Sequence, residues 1–420
     1  ANWLDNLKIR ASVGSAGNGL ISDAYAYLST MSIAQSSLLN NGSVFNYTQA
    51  PSPIPKSLTW EKATTYDLGL DFEAFNGRLN FSADIYRKKT TDMYVVGEEL
   101  PAVFGNSAPK GNYADMRTDG WEASLSWRDS HKVAGKTLSY NIKVAVWDNT
   151  SKITRYTAKT GTLPTNYSIN YYEGMTLGEM WGYKCDGLFQ SDEEAQTWAN
   201  YSKFTNRSAT WQAGDPRYLD LNGDGYVNNG NNTIYDHGDL VKIGNTTPRY
   251  SYSIQGGVRW NGIGISMMWQ GVGKRDWYPA KESGYFWGQY GRPYSMALPW
   301  HNSDRWSPTN RGAYWPRLVG YSASDSGLIL AQPNTRYVQD ASYIRLKNLT
   351  IDYNFPKELV NKIGLQALKI YVSGENLLTF SPLKKYAKNY DPEGIYAGDA
   401  DYGTNKFGSD NFGDGDGYPV

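Results

Sequence analysis

Asp220-x-Asn222-x-Asp224-Gly225 places three side-chain oxygens at alternating positions, the spacing of the first half of an EF-hand-like loop. Gly225 stands where such a loop turns sharply, and the Tyr226 carbonyl follows as a fourth ligand. Hard oxygens converging on one point favour Ca²⁺ over softer metals. The pattern departs where a bidentate Glu would close the shell, since Asn231 stands there, leaving Asp236 or Asp239 to complete it. Asp, Asn and Gly are also ordinary turn formers, so a metal-free Asx-rich turn is the alternative. Any calcium here is expected to stiffen a loop rather than to catalyse.

A second concentration of chemistry lies between Asp276 and Arg317, where Trp277, Tyr278, Tyr285, Phe286, Trp287, Tyr290, Tyr294, Trp300, Trp306, Tyr314 and Trp315 crowd together. Aromatic faces interspersed with Arg305 and with Asn and Gln suit stacking on sugars or gripping peptide side chains. Trp277, Tyr285, Trp287, Tyr290, Trp300, Arg305, Trp306 and Trp315 are therefore the candidate substrate or partner contacts. The competing reading makes most of them the core of the loop itself. His301 with Asp304 and Arg305 reads as structural, because one histidine beside charges makes no catalytic constellation.

Enzyme signatures are otherwise missing. The chain has no Gly-x-Ser-x-Gly elbow, no His-Glu-x-x-His, no phosphate-binding Gly-Lys-Thr/Ser loop, and three histidines, His131, His237 and His301. Cys185 stands alone, which excludes an intrachain disulfide framework and a cysteine zinc site. With 41 basic and 41 acidic residues, the chain carries no electrostatic footprint for nucleic acid.

The elements that must position these loops are long alternating strands. On one face Trp60 to Phe75 sets Leu68, Leu70, Phe72 and Ala74. After Asn76-Gly77 the returning arm sets Leu79, Phe81, Ala83 and Ile85 opposite Asn80, Ser82, Asp84 and Tyr86. Asn-Gly is the preferred type I′ turn, whose two central residues need positive φ. Further strands are predicted near Leu7–Ser15, Asp115–Arg128, Leu138–Asp148, Arg249–Trp260, Ile263–Gly271, Ser342–Asn354 and Leu368–Phe380. Short connections (Asn76-Gly77, the stretch from His131 to Lys136, Asn261-Gly262, and a helical turn at Pro356 to Leu359) alternate with long ones. The long set covers Ala16–Leu58, Thr91–Ala114, Thr150–Pro248, Val272–Asp340 and Ser381–Val420, and is read as structureless.

That asymmetry, with strands longer than the soluble mean of about 5–6 residues, predicts an all-β fold: an antiparallel up-and-down transmembrane β-barrel with long extracellular loops. Composition agrees. No run of about 18 apolar residues exists to form a spanning helix. Only 40% of residues are hydrophobic and mean hydropathy is −0.59, as a polar lumen and polar loops require. The 34 Tyr and 15 Trp suit interfacial aromatic girdles. No helical period and no Pro- or Ser-rich linker divides the 420 residues.

Specific segments then resemble the barrel of SusC/RagA-type TonB-dependent transporters. They are Leu7-Lys8-Ile9-Arg10-Ala11-Ser12-Val13-Gly14; Trp60 to Phe72 followed by Asn76-Gly77-Arg78-Leu79 and Asp84 to Met93; Gly214-Asp215-Pro216-Arg217-Tyr218 with Asp220 to Gly225; Arg305-Trp306-Ser307-Pro308 with Tyr314-Trp315-Pro316-Arg317; Ala341 to Leu349; and Gly374 to Phe380. The resemblance implies import of oligosaccharides or peptides across the bacterial outer membrane, with a SusD-like surface lipoprotein as lid and the TonB complex acting through an N-terminal plug. It also implies a barrel of about 22 strands, so residues 1–420 read as its C-terminal portion. Plug, remaining strands, targeting segment and the usual aromatic-ended last strand are expected outside this chain. A soluble carbohydrate-binding or carbohydrate-active β-protein is the rival class, and a passive porin the rival within the membrane class.

Overall fold

The computed structural model describes residues 3–18, 28, 31–49, 51, 53–55, 58–98, 101, 103, 108–157, 161–164, 170–198, 201, 204, 210–279, 283–291, 298–319, 329–330 and 332–395. Nine strands make one antiparallel sheet whose spatial order is the chain order: β1 (Leu4–Asn18), β2 (Glu61–Ala74), β3 (Leu79–Val96), β4 (Lys110–Val133), β5 (Lys136–Tyr156), β6 (Arg249–Trp260), β7 (Ile263–Lys274), β8 (Tyr343–Asn354) and β9 (Lys369–Phe380). The sheet is open, with β1 and β9 at its edges.

Every predicted strand is present; of the first five, β2 is one residue shorter at each end and the other four extend further than the alternation suggested. β3 continues to Val96 and β4 begins at Lys110, past a register shift at Thr90/Met93 where Asp92 adopts φ 58°. Beyond the apolar band both faces are polar, so period 2 no longer marks the strand, while the backbone groups still pair.

The two faces differ in chemistry along whole rows of the sheet. One row perpendicular to the strands reads Leu7, Phe72, Phe81, Leu125, Val144, Ile254, Trp269, Leu346. Its neighbour on the opposite face reads Lys8, Asp71, Ser82, Ser124, Ala145, Ser253, Gln270, Arg345. On the apolar face Ile9 is 72% exposed and Val13 69% exposed, an arrangement stable only against lipid. Leu7 lies at the turn end of the apolar run in β1, whereas Trp269 lies at the loop end of the run in β7. A horizontal lipid band therefore crosses tilted strands, as barrel geometry demands.

Tight turns cluster at one end. Asn76-Gly77 (φ 57° and 68°), Ala134-Gly135 (49° and 74°) and Asn261-Gly262 (47° and 88°) all have the doubly positive φ of type I′. The helical turn expected after Pro356 spans Lys357–Val360. Trp3, Phe75 and Trp127 form an aromatic chain at this end, with ring centroids about 6 Å apart.

At the other end the long connections are folded, which corrects their reading as structureless. They carry the hairpin Ser32–Asn40 with Ser43–Gln49 and the antiparallel pairs Glu179–Tyr183 with Leu240–Asn245 and Cys185–Leu188 with Pro216–Tyr218. Short helices occur at Asp192–Thr197, where Ser191 caps the Glu194 N–H, and at Pro299–Ser303. Apart from the Ser32–Gln49 hairpin, these strands run two to six residues and the helices one or two turns, too short for any period to show. No helix among the described residues is long and apolar enough to cross a membrane. The main buried cluster lies in these connections rather than in the wall.

Candidate functional site

The loop assembly is built on aromatic packing. Tyr183, Tyr201, Phe204, Trp211 and Tyr218 form one nest, with Tyr201 stacked on Trp211 at 4.3 Å and Phe204 on Tyr218 at 5.6 Å. Trp277, Phe286, Trp287, Tyr290, Trp315 and Tyr337 form another, with His301 edge-on to Trp315 at 4.3 Å. Each such ring pair adds about 0.5–1.5 kcal/mol beyond area burial. Tyr386, stacked on Tyr314 at 3.6 Å, brings the segment after β9 into the same core.

Gly214-Asp215-Pro216-Arg217-Tyr218 is the knot that joins distant parts of this assembly. Gly214 has φ 87°, and a Cβ there would lie 2.6 Å from the Trp306 ring, so no side chain fits. The fully buried Asp215 receives Arg317 in a forked pair, Nε to Oδ1 at 2.6 Å and Nη2 to Oδ2 at 3.1 Å. Its Oδ2 also accepts the Gln212 N–H at 2.9 Å. Burial pushes the Asp215 carboxyl up to about 6, against the opposing pull of Arg317. Arg217 pairs with Asp186 at 2.8 Å and with Glu194, and the Tyr218 hydroxyl donates to the Ile329 carbonyl at 2.8 Å.

A second knot ties the loops to the wall. Arg345 on β8 is buried and donates to Thr379 Oγ1 at 2.8 Å, to Glu393 at 2.6 Å and to Asp391. Lys347 reaches the same Glu393 at 3.0 Å. Neither knot was legible as a contact in the sequence. Both arginines stood in distinctive segments, but only the fold reveals their carboxylate partners.

The aromatic candidates separate by burial. Trp277, Trp287, Tyr290 and Trp315 are almost wholly enclosed and serve the core of the loop assembly. Tyr285 and Arg305 are exposed, and Trp300 and Trp306 are half-buried at its periphery. Tyr294 lies outside the described residues. His301 is structural: its Nε2 lies 2.7 Å from the Phe286 carbonyl and donates to it, and burial lowers its pKa to about 4.

The Asp220–Tyr226 loop is organised by its own backbone. Asp220 accepts the N–H groups of Gly223 and Gly225, Asn222 accepts that of Asp224, and Asp224 accepts that of Tyr226, at 2.7–2.9 Å. Asp239 is buried and its carboxylate takes the N–H groups of Leu221, Asn222 and Asn228, bracing both ends of the loop. Asp236 is engaged by Asn231 at 2.6 Å. Asp220, Asn222, Asp224, Asp236 and Asp239 all accept hydrogen bonds from the loop's own groups, so each carboxylate or amide oxygen of the candidate calcium shell also serves the loop framework. Among the described residues no three His, Cys, Asp or Glu side chains gather in metal-holding geometry.

Below the loops the polar face of the sheet carries its own network. Arg10 on β1 bridges Asp71 at 2.7 Å and Asp84 at 2.8 Å, and Arg259 on β6 meets Asp352 at 2.7 Å. A groove of about 710 Å³ at the turn end is lined by Arg78, Arg128, Asp129, Arg259, Asp352 and Lys369. This arrangement offers hydrogen bonds and charge along a lumen, with Ser82 Oγ donating to Asp71 at 2.7 Å as part of the network.

Comparison with known proteins agrees with this architecture. Residues 1–261 match the family model described as TonB dependent receptor-like, beta-barrel. The chain is 27% identical over 417 residues to TonB-dependent receptor P3 of Formosa agariphila, covering 96% of this chain and 37% of that protein. It is 25% identical over 244 residues to the TonB-dependent receptor SusC of Bacteroides thetaiotaomicron, covering 56% of this chain and 22% of SusC. Among solved structures, that of the RagAB peptide importer in its open-open state superposes with a TM-score of 0.68 at 19% identity, over 94% of this chain and 38% of that one. The chain thus spans less than two fifths of the length of these relatives.

Proposed function

The chain belongs to the TonB-dependent receptor-like β-barrel family of the bacterial outer membrane, with SusC- and RagA-type transporters among its relatives, and from that premise we propose that it forms the C-terminal portion of a nutrient-importing barrel. The observation that carries the reading is one sheet with a lipid-facing side, a charged and hydrogen-bonding opposite side, and a folded cap of loops at one end. The open edges of β1 and β9 leave rows of unpaired backbone groups, each costing several kcal/mol in hydrocarbon. Further strands of the same barrel satisfy them.

The cargo of this reading is an oligosaccharide or a peptide taken up against its gradient. A SusD-like lipoprotein closes over the loops, and TonB acts through a plug outside this chain. Tyr285, Trp300, Arg305 and Trp306, exposed or half-buried at the periphery of the cap, are the candidate contacts for cargo or lid. The likeness to a peptide importer supports the peptide alternative, and the likeness to SusC supports the broader class. The named relatives are receptors and transporters, which supports a role in uptake over one in catalysis.

The test is purification of the full-length protein from outer membranes, identification of co-purifying polypeptides by mass spectrometry, and uptake of labelled peptides and oligosaccharides by cells with and without a protonophore. Co-purification of a lipoprotein and protonophore-sensitive uptake are expected. Uptake indifferent to the protonophore would make the barrel a passive porin, and a stable detergent-free species of the mass of this chain would make it a soluble protein.

A further inference from the structure

Above the lipid band, the apolar face of the sheet turns abruptly basic. The outward positions that follow Ile85 on β3 are Arg87 and Lys89, and those that follow Trp121 on β4 toward the loops are Asp119 and Arg117. Cross-strand pairing sets Tyr66 beside Arg87 and Lys152 beside Arg117, and Lys62 lies two same-face positions beyond Tyr66 along β2, beside Thr91. Five cations thus share a patch of adjacent rows with one carboxylate. Asp119 sits between Arg87, whose Nε donates to it, and Arg117, whose Nε lies 3.0 Å away as an ion pair, so two guanidinium groups flank one carboxylate. One row further out Arg155 is already taken by Asp115 at 2.8 Å and Asp92 at 3.5 Å, so it adds nothing to the patch. Asp148 nearby is likewise neutralised by Arg249.

The same place is concave. A groove of about 1090 Å³ crosses the sheet here, floored by Val13, Leu68 and Ile85 and rimmed by Arg87, Lys89 and Asp119. Tyr66 is exposed beside the groove, with Lys89 Nζ 5.9 Å from its ring centroid. An apolar floor that faces acyl chains, an aromatic belt and a cluster of guanidinium and ammonium groups directly above it complement a lipid whose headgroup bears phosphate.

We propose that the outward face of β1 to β5 at the Arg87–Lys89–Arg117 cluster is a binding site for a phosphorylated lipid of the outer leaflet, its phosphate on the cations and an acyl chain along the Val13–Leu68–Ile85 floor. The site lies on the opposite side of the wall from the lumen, so it serves anchorage and local bilayer order rather than cargo. Arginine forks hold phosphate with two parallel bonds, and lysines add charge without fixed direction.

The test uses the full-length protein purified in mild detergent and examined by native mass spectrometry with added phosphorylated lipid A, dephosphorylated lipid A and a zwitterionic phospholipid. The wild type is expected to retain phosphorylated lipid A at least ~10-fold better than either comparison lipid. The combined variant Arg87→Gln, Lys89→Gln, Arg117→Gln should lose that preference. Lys132→Gln with Lys136→Gln, exposed at the turn end, should keep it, and so should Arg87→Lys in weakened form. Equal retention by wild type and the triple variant, or equal retention of phosphorylated and dephosphorylated lipid, overturns the proposal. Peptide and oligosaccharide uptake by the triple variant is expected to continue, so loss of this site and failure of the transport reading give different results.

Discussion

Asp215 and Arg317, separated by 102 residues in the chain, meet as a two-bond fork inside the aromatic cap, with the carboxylate fully out of water. Removing one member leaves the other charge buried without its partner, which costs about 3–5 kcal/mol, whereas replacing both with apolar residues costs much less. Arg317→Met is therefore expected to lower the melting temperature of the cap, followed by tryptophan fluorescence, more than the double change Asp215→Leu with Arg317→Met. A double variant that melts as low as the single would show that the pair is not the source of the effect.

Two buried groups give the cap opposing responses to acid. His301 sits at about 4, below its ordinary 6.5, so the stability it lends in neutral form is full above pH 6.5 and falls as pH drops toward 4, by about 2 kcal/mol at pH 5. Asp215 sits at about 6, above its ordinary 3.8, so its ionisation weakens the fold as pH rises through 4 to 6, and moving from pH 7 to 5 returns about 1 kcal/mol. Acidification from pH 7 to 5 thus weakens the His301 contribution and relieves that of Asp215. His301→Gln should remove the loss, and Asp215→Asn should remove the opposing gain. Melting curves at three pH values decide between them.

Ala134 occupies the first central position of a type I′ turn with φ 49°, where its equivalents in the other wall hairpins are Asn76 and Asn261. A Cβ in the left-handed region is strained, and Asn relieves part of that strain through its side-chain hydrogen bonding. Ala134→Asn should stabilise the β4–β5 hairpin by about 0.5–1 kcal/mol, visible as slower hydrogen exchange at Val133 and Lys136.

The Asp220–Tyr226 loop is proposed to take Ca²⁺ weakly. Two carboxylates, one amide and one carbonyl, without a bidentate Glu, put affinity in the range of about 10⁻⁴–10⁻³ M. Millimolar Ca²⁺ should raise the melting temperature of the cap slightly, and Asp220→Asn or Asp224→Asn should abolish the rise without unfolding the loop. Asp239→Ala should instead unfold the loop with or without calcium, because its carboxylate satisfies three backbone N–H groups. Titration calorimetry with no heat at millimolar Ca²⁺ would remove the metal from the account.

The wall was readable because its signal is local. Leu79, Phe81, Ala83 and Ile85 declare a face within seven residues, and Asn76-Gly77 declares the turn beside it. The cap was not, because its contacts are long-range and its elements short. Trp277, Trp287, Tyr290 and Trp315 have the same residue types as a binding surface, and only burial assigns them to a core. Tyr285 and Arg305, in the same stretch, remain exposed. Asp239 was legible as a carboxylate near an Asx-rich loop, but its role as the brace of that loop depends on three backbone groups that no spacing rule locates.

The count of wall strands has a geometric corollary. In an antiparallel meander, direction alternates at every step, so β1 and β9 run the same way. Joining these two edges to each other would create a parallel seam, with slanted bonds and no hairpin to set its register. An all-antiparallel enclosure that contains this sheet needs an odd number of additional strands between the edges. With the outer edges of β1 and β9 unpaired in this structure, the wall is an arc whose parity calls for an odd complement.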